Sequence, residues 1–247
     1  MTAGPAAADR RVHRPAAVFD VRDVYRERQN ADGVAAVPAG PVRFAVRAVV
    51  APSGRIEPVG WELRTGRTRS GFATFADQIV DAGPPLVIRR LPRSTGVVEV
   101  RATCPGFQAA VVSFVPGQGQ PTRVDLTPGI GYPFERITVR PGRSGPSLLR
   151  GAVLDPDGRG LAGLTVTVDS ALYTYRTEDD GAWVNVLPDP LPAPHVAVTV
   201  AVPAGRTGQL DPASGPGWQP AGRDFTVTVA VVEGGAVPVP ELRLRIV

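Results

Sequence analysis

The chain has 247 residues, 43% of them hydrophobic, with 28 Gly, 27 Pro and a formal charge of +4. That much apolar residue excludes wholesale disorder, and that much Pro and Gly excludes long helices, leaving short strands joined by many turns. All 27 basic residues are Arg, so chemistry that needs a lysine (a Schiff base, a pyridoxal-phosphate anchor, a P-loop, a Lys–Asn cross-link) is closed to this chain.

Residues 1–40 read as a largely irregular arm rich in Ala, Arg and Pro. The arm has no apolar run of signal-peptide length, and no stretch of the chain approaches the ~18 apolar residues of a membrane span. The expectation is a cytoplasmic protein without a membrane span, or one released within a particle. Inside the arm, Val18, Val21 and Tyr25 fall at helical spacing. They suffice for two turns that order only against a body or a partner.

From Pro41 the period changes to two. Val42, Phe44, Val46, Ala48 and Val50 alternate with Arg43, Ala45, Arg47 and Val49, which puts the first set on one face of a strand. Pro52, Ser53 and Gly54 make a turn. VGWELR, GFATF, LVIRR, GVVEVRA and FQAAVVSF follow as strands, and PTRVDLTP closes a first β-sandwich domain at 41–130. Residues 131–146, dense in Gly, Pro and Arg, are a linker.

The second domain, 147–247, is cleaner. LLRGAVL leads into a turn at Asp157-Gly158, then Leu164, Val166 and Val168 alternate with Thr165 and Thr167. YTYRT, a turn at Glu178 to Gly181, and AWVNVL come next. Val196, Val198, Val200 and Val202 share one face of a strand, as do Phe225, Val227, Val229 and Val231. Leu242, Leu244 and Ile246 stand opposite Arg243 and Arg245 in the last run. Turn signals recur at the spacing of an antiparallel sandwich. Both halves open with an apolar strand and a Pro/Gly turn (Ala51 to Gly54; Asp155 to Gly158) and continue to a Gly-aromatic strand start, which reads as a degenerate tandem repeat.

Residues 147–205 resemble the carboxypeptidase regulatory-like domain, a transthyretin-like (prealbumin-like) β-sandwich. Gly151 and Val153 match its first strand, and Asp155 to Gly158 its turn. Leu161, Gly163 and Val166 match its second strand. Thr177, Asp179, Asp180, Gly181 and Trp183 match its threonine–aspartate–glycine–aromatic stretch, and Leu187-Pro188 its leucine–proline step. The fold class expected is therefore all-β: two tandem antiparallel β-sandwich (transthyretin/Ig-like) domains with a largely irregular N-terminal arm. Tyr132-Pro133-Phe134, followed by LLRGAVLDPDG and TEDDGAWV, is also similar to accessory proteins of phage-tail-like contractile injection particles. That resemblance implies a cap or baseplate accessory.

Few residues carry chemistry. With only Cys104, His13 and His195, four zinc ligands are not available from one chain. Asp155, Asp157, Asp179 and Asp180 are oxygen ligands that suit Ca²⁺, but tight turns demand the same residues and no full calcium loop is present. His195 has Ser170, Ser214 and Asp169 as distant company and no nucleophile elbow. Cys104, before Pro105-Gly106, reads as a small buried residue at a turn. Arg64, Arg67 and Arg69 lie in one loop, and Arg89, Arg90 and Arg93 on the next strand and its turn. As neighbours they form an anion-binding or protein-docking patch; apart, they are a solvated face. Aromatics are too sparse for nucleic acid. Trp61 and Trp183 sit in strand runs. Trp218, in the loop DPASGPGWQPAGR, is the one expected at the surface, or else in a loop folded over the sandwich edge.

These features predict no catalytic set, no cofactor and no metal. The expected function is a non-enzymatic structural or adaptor protein that docks to protein partners in a larger assembly, through Val18, Val21, Tyr25, Arg64, Arg67, Arg69, Arg89, Arg90 and Trp218. The strand from Glu241 to Val247 adds a pairing edge if it lies at one. The second reading is a carbohydrate- or surface-binding module, resting on Trp218. A hydrolase with paired carboxylates is the one catalytic device that composition leaves open.

Overall fold

A computed structural model describes residues 15–29, 36–58, 60–68, 71–81, 87–91, 96–134, 146–171, 173–188 and 190–247. The fold is all-β, in two compact units. The first comprises Met1–Cys104 and Ala109–Leu126, the second Pro105–Gln108 and Thr127–Val247.

The first unit contains β1 (Ala17–Asp23), α1 (Val24–Gln29), β2 (Arg43–Ala51), β3 (Gly54–Ile56), β4 (Trp61–Arg67), β5 (Ala73–Asp81), β6 (Val87–Arg90), β7 (Val97–Thr103), β8 (Ala110–Phe114) and β9 (Thr122–Leu126). They form one sheet in the order β8-β7-β2-β4-β5-β1-β9, with β3 added to β2 and β6 to β5. Its end strands β8 and β9 approach each other, so the sheet folds over on itself. Inside, Phe19 stacks on Phe44 at 4.4 Å between centroids, and Phe114 meets Phe19 at 5.2 Å and Phe75 at 6.0 Å. These rings come from β1, β2, β5 and β8, and burying each supplies on the order of 2–3 kcal/mol.

Two sequence expectations are corrected here. Residues 17–23 are a strand, not helical turns. Ala17, Phe19, Val21 and Asp23 are buried in alternation. β1 pairs antiparallel with β5 (Ala17↔Phe75) and parallel with β9 (Val21↔Val124). The helix is confined to α1, where the Arg26 N–H donates to the buried Asp23 Oδ1 at 3.1 Å, a side-chain cap. The apparent helical spacing of Val18, Val21 and Tyr25 comes from a strand running into a short helix. In β2, Val50 is 37% exposed instead of sharing the core with Ala48. A register shift between Val46 and Ala48 changes the phase of the strand, so that Val49 turns inward.

The second unit contains β10 (Leu148–Leu154), β11 (Thr165–Val168), β12 (Tyr175–Arg176), β13 (Ala182–Val186), β14 (His195–Ala201), β15 (Gly208–Leu210), β16 (Gln219–Ala221), β17 (Asp224–Ala230), β18 (Ala236–Pro238) and β19 (Leu242–Ile246). One sheet runs β13-β10-β19-β15 with β18 added to β10; the other runs β12-β11-β14-β17-β16. The valine alternation works as expected. Val196, Val198 and Val200 pair across β14 and β17 with Val229, Val227 and Phe225, and all six are buried.

The Asp/Gly turns have a packing reason. The Asp155 Oδ1 accepts the Arg159 N–H at 2.8 Å, and the Asp180 Oδ1 accepts the Ala182 N–H at 3.0 Å. The two turns pack backbone to backbone: a Cβ on Gly160 would run into the Asp180 backbone, and one on Gly181 (φ +78°) into the Val153 carbonyl oxygen.

The two units share turn chemistry but not strand pairing. β2 pairs with β4, the next long strand, whereas β10 and β11 lie in different sheets. The pairing is mainly antiparallel, with parallel ladders at β1–β9, β10–β18 and β10–β19. β19 lies between β10 and β15, so the C-terminal strand is not an open edge.

The second unit also claims residues 105–108. The Gln108 N–H donates to the Thr127 carbonyl and the Gly129 N–H to the Gly106 carbonyl, both at 2.8 Å. Phe107 meets Tyr132 edge-on at 5.0 Å. Tyr132 and Phe134, expected in a linker, are buried; residues 135–145 lie outside the described residues.

Candidate docking surface

β4, β5 and β6 form an antiparallel ribbon. Leu63 pairs with Ile79, and Ile79 with Arg89; Gln78 pairs with Arg90. Leu63, Phe75 and Ile79 are buried, so period two turns Arg64 and Gln78 to the outside. The Arg64 Nη1 donates to the Gln78 Oε1 at 3.2 Å. The Arg90 Nε lies 3.8 Å from Asp77 and the Arg89 Nε 3.7 Å from Asp81. Arg64 and Arg90 thus share the outer face with Gln78, on β4 and β6 to either side of β5, while Arg89, paired with Ile79, lies on the other face of the same ribbon. Their ion pairs are long and exposed, Arg90 to 77%. Such pairs contribute about 0–1 kcal/mol each, so a partner carboxylate can replace them at little cost.

The remaining predicted docking residues fall elsewhere. Arg67, at the far end of β4, donates to the Pro38 carbonyl at 3.2 Å. Arg69 lies outside the described residues, as do Arg93 and His13. Val18 is half-buried, while Val21 and Tyr25 are core residues and not a docking face. The Tyr25 phenol is pushed up to about 12, first by burial and then by the carboxylate of Asp23. Trp218 is 6% exposed, against the expectation of a surface aromatic. Its Nε1 donates to the Pro240 carbonyl at 2.9 Å, and the Gly215 N–H to the Glu241 carbonyl at 2.7 Å. The loop is folded against the start of β19, which removes the observation behind a carbohydrate-binding reading.

The residues that looked reactive are occupied structurally. The Ser214 hydroxyl accepts the Arg243 N–H at 3.0 Å and donates to the Arg243 carbonyl at 3.1 Å. Ser170 holds a turn at φ 66°, and the exposed His195 pairs with Ala230 in the β14–β17 ladder. Cys104 is buried, and burial pushes its thiol up, only partly offset by the Gly40 backbone and the Arg67 charge. The turn carboxylates hold backbone N–H groups and Arg159. Among the described residues, no group of three or more His, Cys, Asp or Glu is arranged to hold a metal ion. No helix among them is long and apolar enough to cross a membrane.

Sequence reasoning missed two features. One is the buried Asp23; an Asp directly ahead of a helical turn was its available signal. The other is the pairing of Arg89 and Arg90 with Asp81 and Asp77, which only the β5–β6 register reveals.

No family model and no curated protein matches the chain. Solved structures similar to it include the Streptococcal ancillary pilin, at 10% identity over 92% of this chain and 67% of that one, with a TM-score of 0.29. The shaft pilin SpaA from Lactobacillus rhamnosus GG is similar at 12% identity, over 92% of this chain and 94% of that one, with a TM-score of 0.26. Likenesses this distant carry no argument about fold or function.

Proposed function

We propose that the chain is a non-enzymatic structural protein that docks into a larger assembly through the β4–β6 ribbon of its first unit. The gathering of Arg64, Arg89 and Arg90 on one exposed ribbon supports this reading. Meanwhile Ser214, Trp218, Cys104 and the turn aspartates are engaged in holding the fold. The finer reading is an accessory of a phage-tail-like contractile particle, in the cytoplasm or released with the particle. It rests on sequence resemblance alone.

The test is sedimentation of a native lysate. The wild-type chain is expected in a heavy fraction, and the Arg64→Glu/Arg89→Glu/Arg90→Glu chain at the position of free protein with an unchanged melting temperature. A wild-type chain that sediments free overturns the docking reading. Sheath and tube proteins in the heavy fraction support the particle assignment, and their absence contradicts it.

A further inference from the structure

The ribbon ends in an edge. β6 pairs with β5, and among the described residues no strand pairs with its other side. The ladder fixes which backbone groups face outward. The Leu91 N–H donates to the Asp77 carbonyl at 2.9 Å, so Leu91 and Asp77 are a hydrogen-bonded pair. In an antiparallel ladder such pairs alternate, so Arg89 and Val87 also turn their N–H and C=O toward β5. Ile88 and Arg90 therefore point theirs away, giving two donors and two acceptors at strand spacing. The Ile88 side chain is 51% exposed beside them.

We infer that the outer edge of β6 binds an extended acidic segment of a partner protein by strand addition, an inference that rests on the docking reading above. The backbone groups of Ile88 and Arg90 supply the ladder. Ile88 supplies an apolar contact. Arg90, on the same face as Ile88, meets a carboxylate of the incoming segment there, and Arg89 meets one on the opposite face. The occupant is not a second copy of this edge. Two β6 strands placed side by side would bring Arg89 and Arg90 against their own kind, which is how edge charges prevent self-pairing. Other edges are less suited to an acidic strand: β16 carries Pro220, and β12 has two residues.

The experiment measures binding of the full chain to a labelled synthetic peptide alternating Glu and Val, with an Arg–Val peptide as control. The folded wild type is expected to bind the Glu–Val peptide and to bind it more weakly as salt rises. Ile88→Pro deletes an outward N–H that β5 does not use. It is expected to weaken binding about tenfold with an unchanged melting temperature. Arg90→Glu keeps the backbone intact, and is expected to weaken the Glu–Val peptide by about as much and to favour the Arg–Val peptide; it carries the test should the proline variant fail to fold. No binding of the Glu–Val peptide by folded wild type, or equal binding by Ile88→Pro, overturns the inference. An Ile88→Pro chain that still sediments with the assembly overturns strand addition at β6 while the docking reading stands. A wild-type chain that binds the peptide yet sediments free overturns the docking reading alone.

Discussion

The two units reach closure by different means. The first folds a single sheet over a cluster of phenylalanines, and β1 is the hinge of that arrangement: it joins β5 to β9. The second stacks two sheets on valines and holds two of its turns together through Gly160 and Gly181. Closure in the first unit therefore depends on a long-range partner early in the chain, and in the second on backbone fit at particular turns. Both units pair distant segments, β1 with β9 and β10 with β19, at similar loop-entropy cost; the first unit is the more exposed to a local loss because β1 also carries Phe19 into its aromatic core.

That contrast breaks most visibly at β1. Deleting residues 1–29 removes Phe19 and, among the described residues, the one strand paired with β9. The loss is about 5 kcal/mol or more, a small domain's whole margin. Differential scanning calorimetry is expected to show the first unit's transition abolished and the second's retained. Retention of both transitions would restore the reading of these residues as an arm.

Gly181→Ala probes the other unit. The substitution adds a Cβ at φ +78° against the Val153 carbonyl. Strain and overpacking together are expected to cost about 3 kcal/mol, read by urea denaturation. Gly158→Ala shares the positive φ (+81°) but opens onto empty space. Its cost is expected near 1 kcal/mol, from backbone conformation alone.

A further effect separates the units by pH. Folded Tyr25 keeps its proton up to about pH 12, whereas its ordinary value is 10.0. The folded state thus binds more protons than the unfolded chain across that window, and stability falls as pH rises through it. The loss is about 2–3 kcal/mol, confined to the first unit. Tyr25→Phe is expected to flatten most of the slope between pH ~10 and ~12; an unchanged slope would place its origin elsewhere.

Much of the second unit was legible because its strands carry uninterrupted two-residue periodicity: Val196 to Val202 and Phe225 to Val231 admit one register. The first unit was less so, for local reasons. Val18, Val21 and Tyr25 mimic a helix because β1 passes directly into α1. Val50 misleads because a register shift between Val46 and Ala48 breaks the strand's phase. Hairpin connectivity made the placement of Arg64, Arg89 and Arg90 on consecutive strands of one ribbon readable, since β4, β5 and β6 follow one another in both chain and sheet. The burial of Trp218 left no trace in the sequence. It depends on the Pro240 carbonyl, which is 22 residues away in the chain.

The most direct test of the docking ribbon is site-specific photo-crosslinking in a native lysate. A photoreactive residue replaces Gln78, at the centre of the Arg row, or Thr228, exposed on β17 of the second unit. The ribbon account predicts a discrete crosslinked partner from position 78 and none from position 228. A partner captured from 228, with position 78 silent, would contradict it.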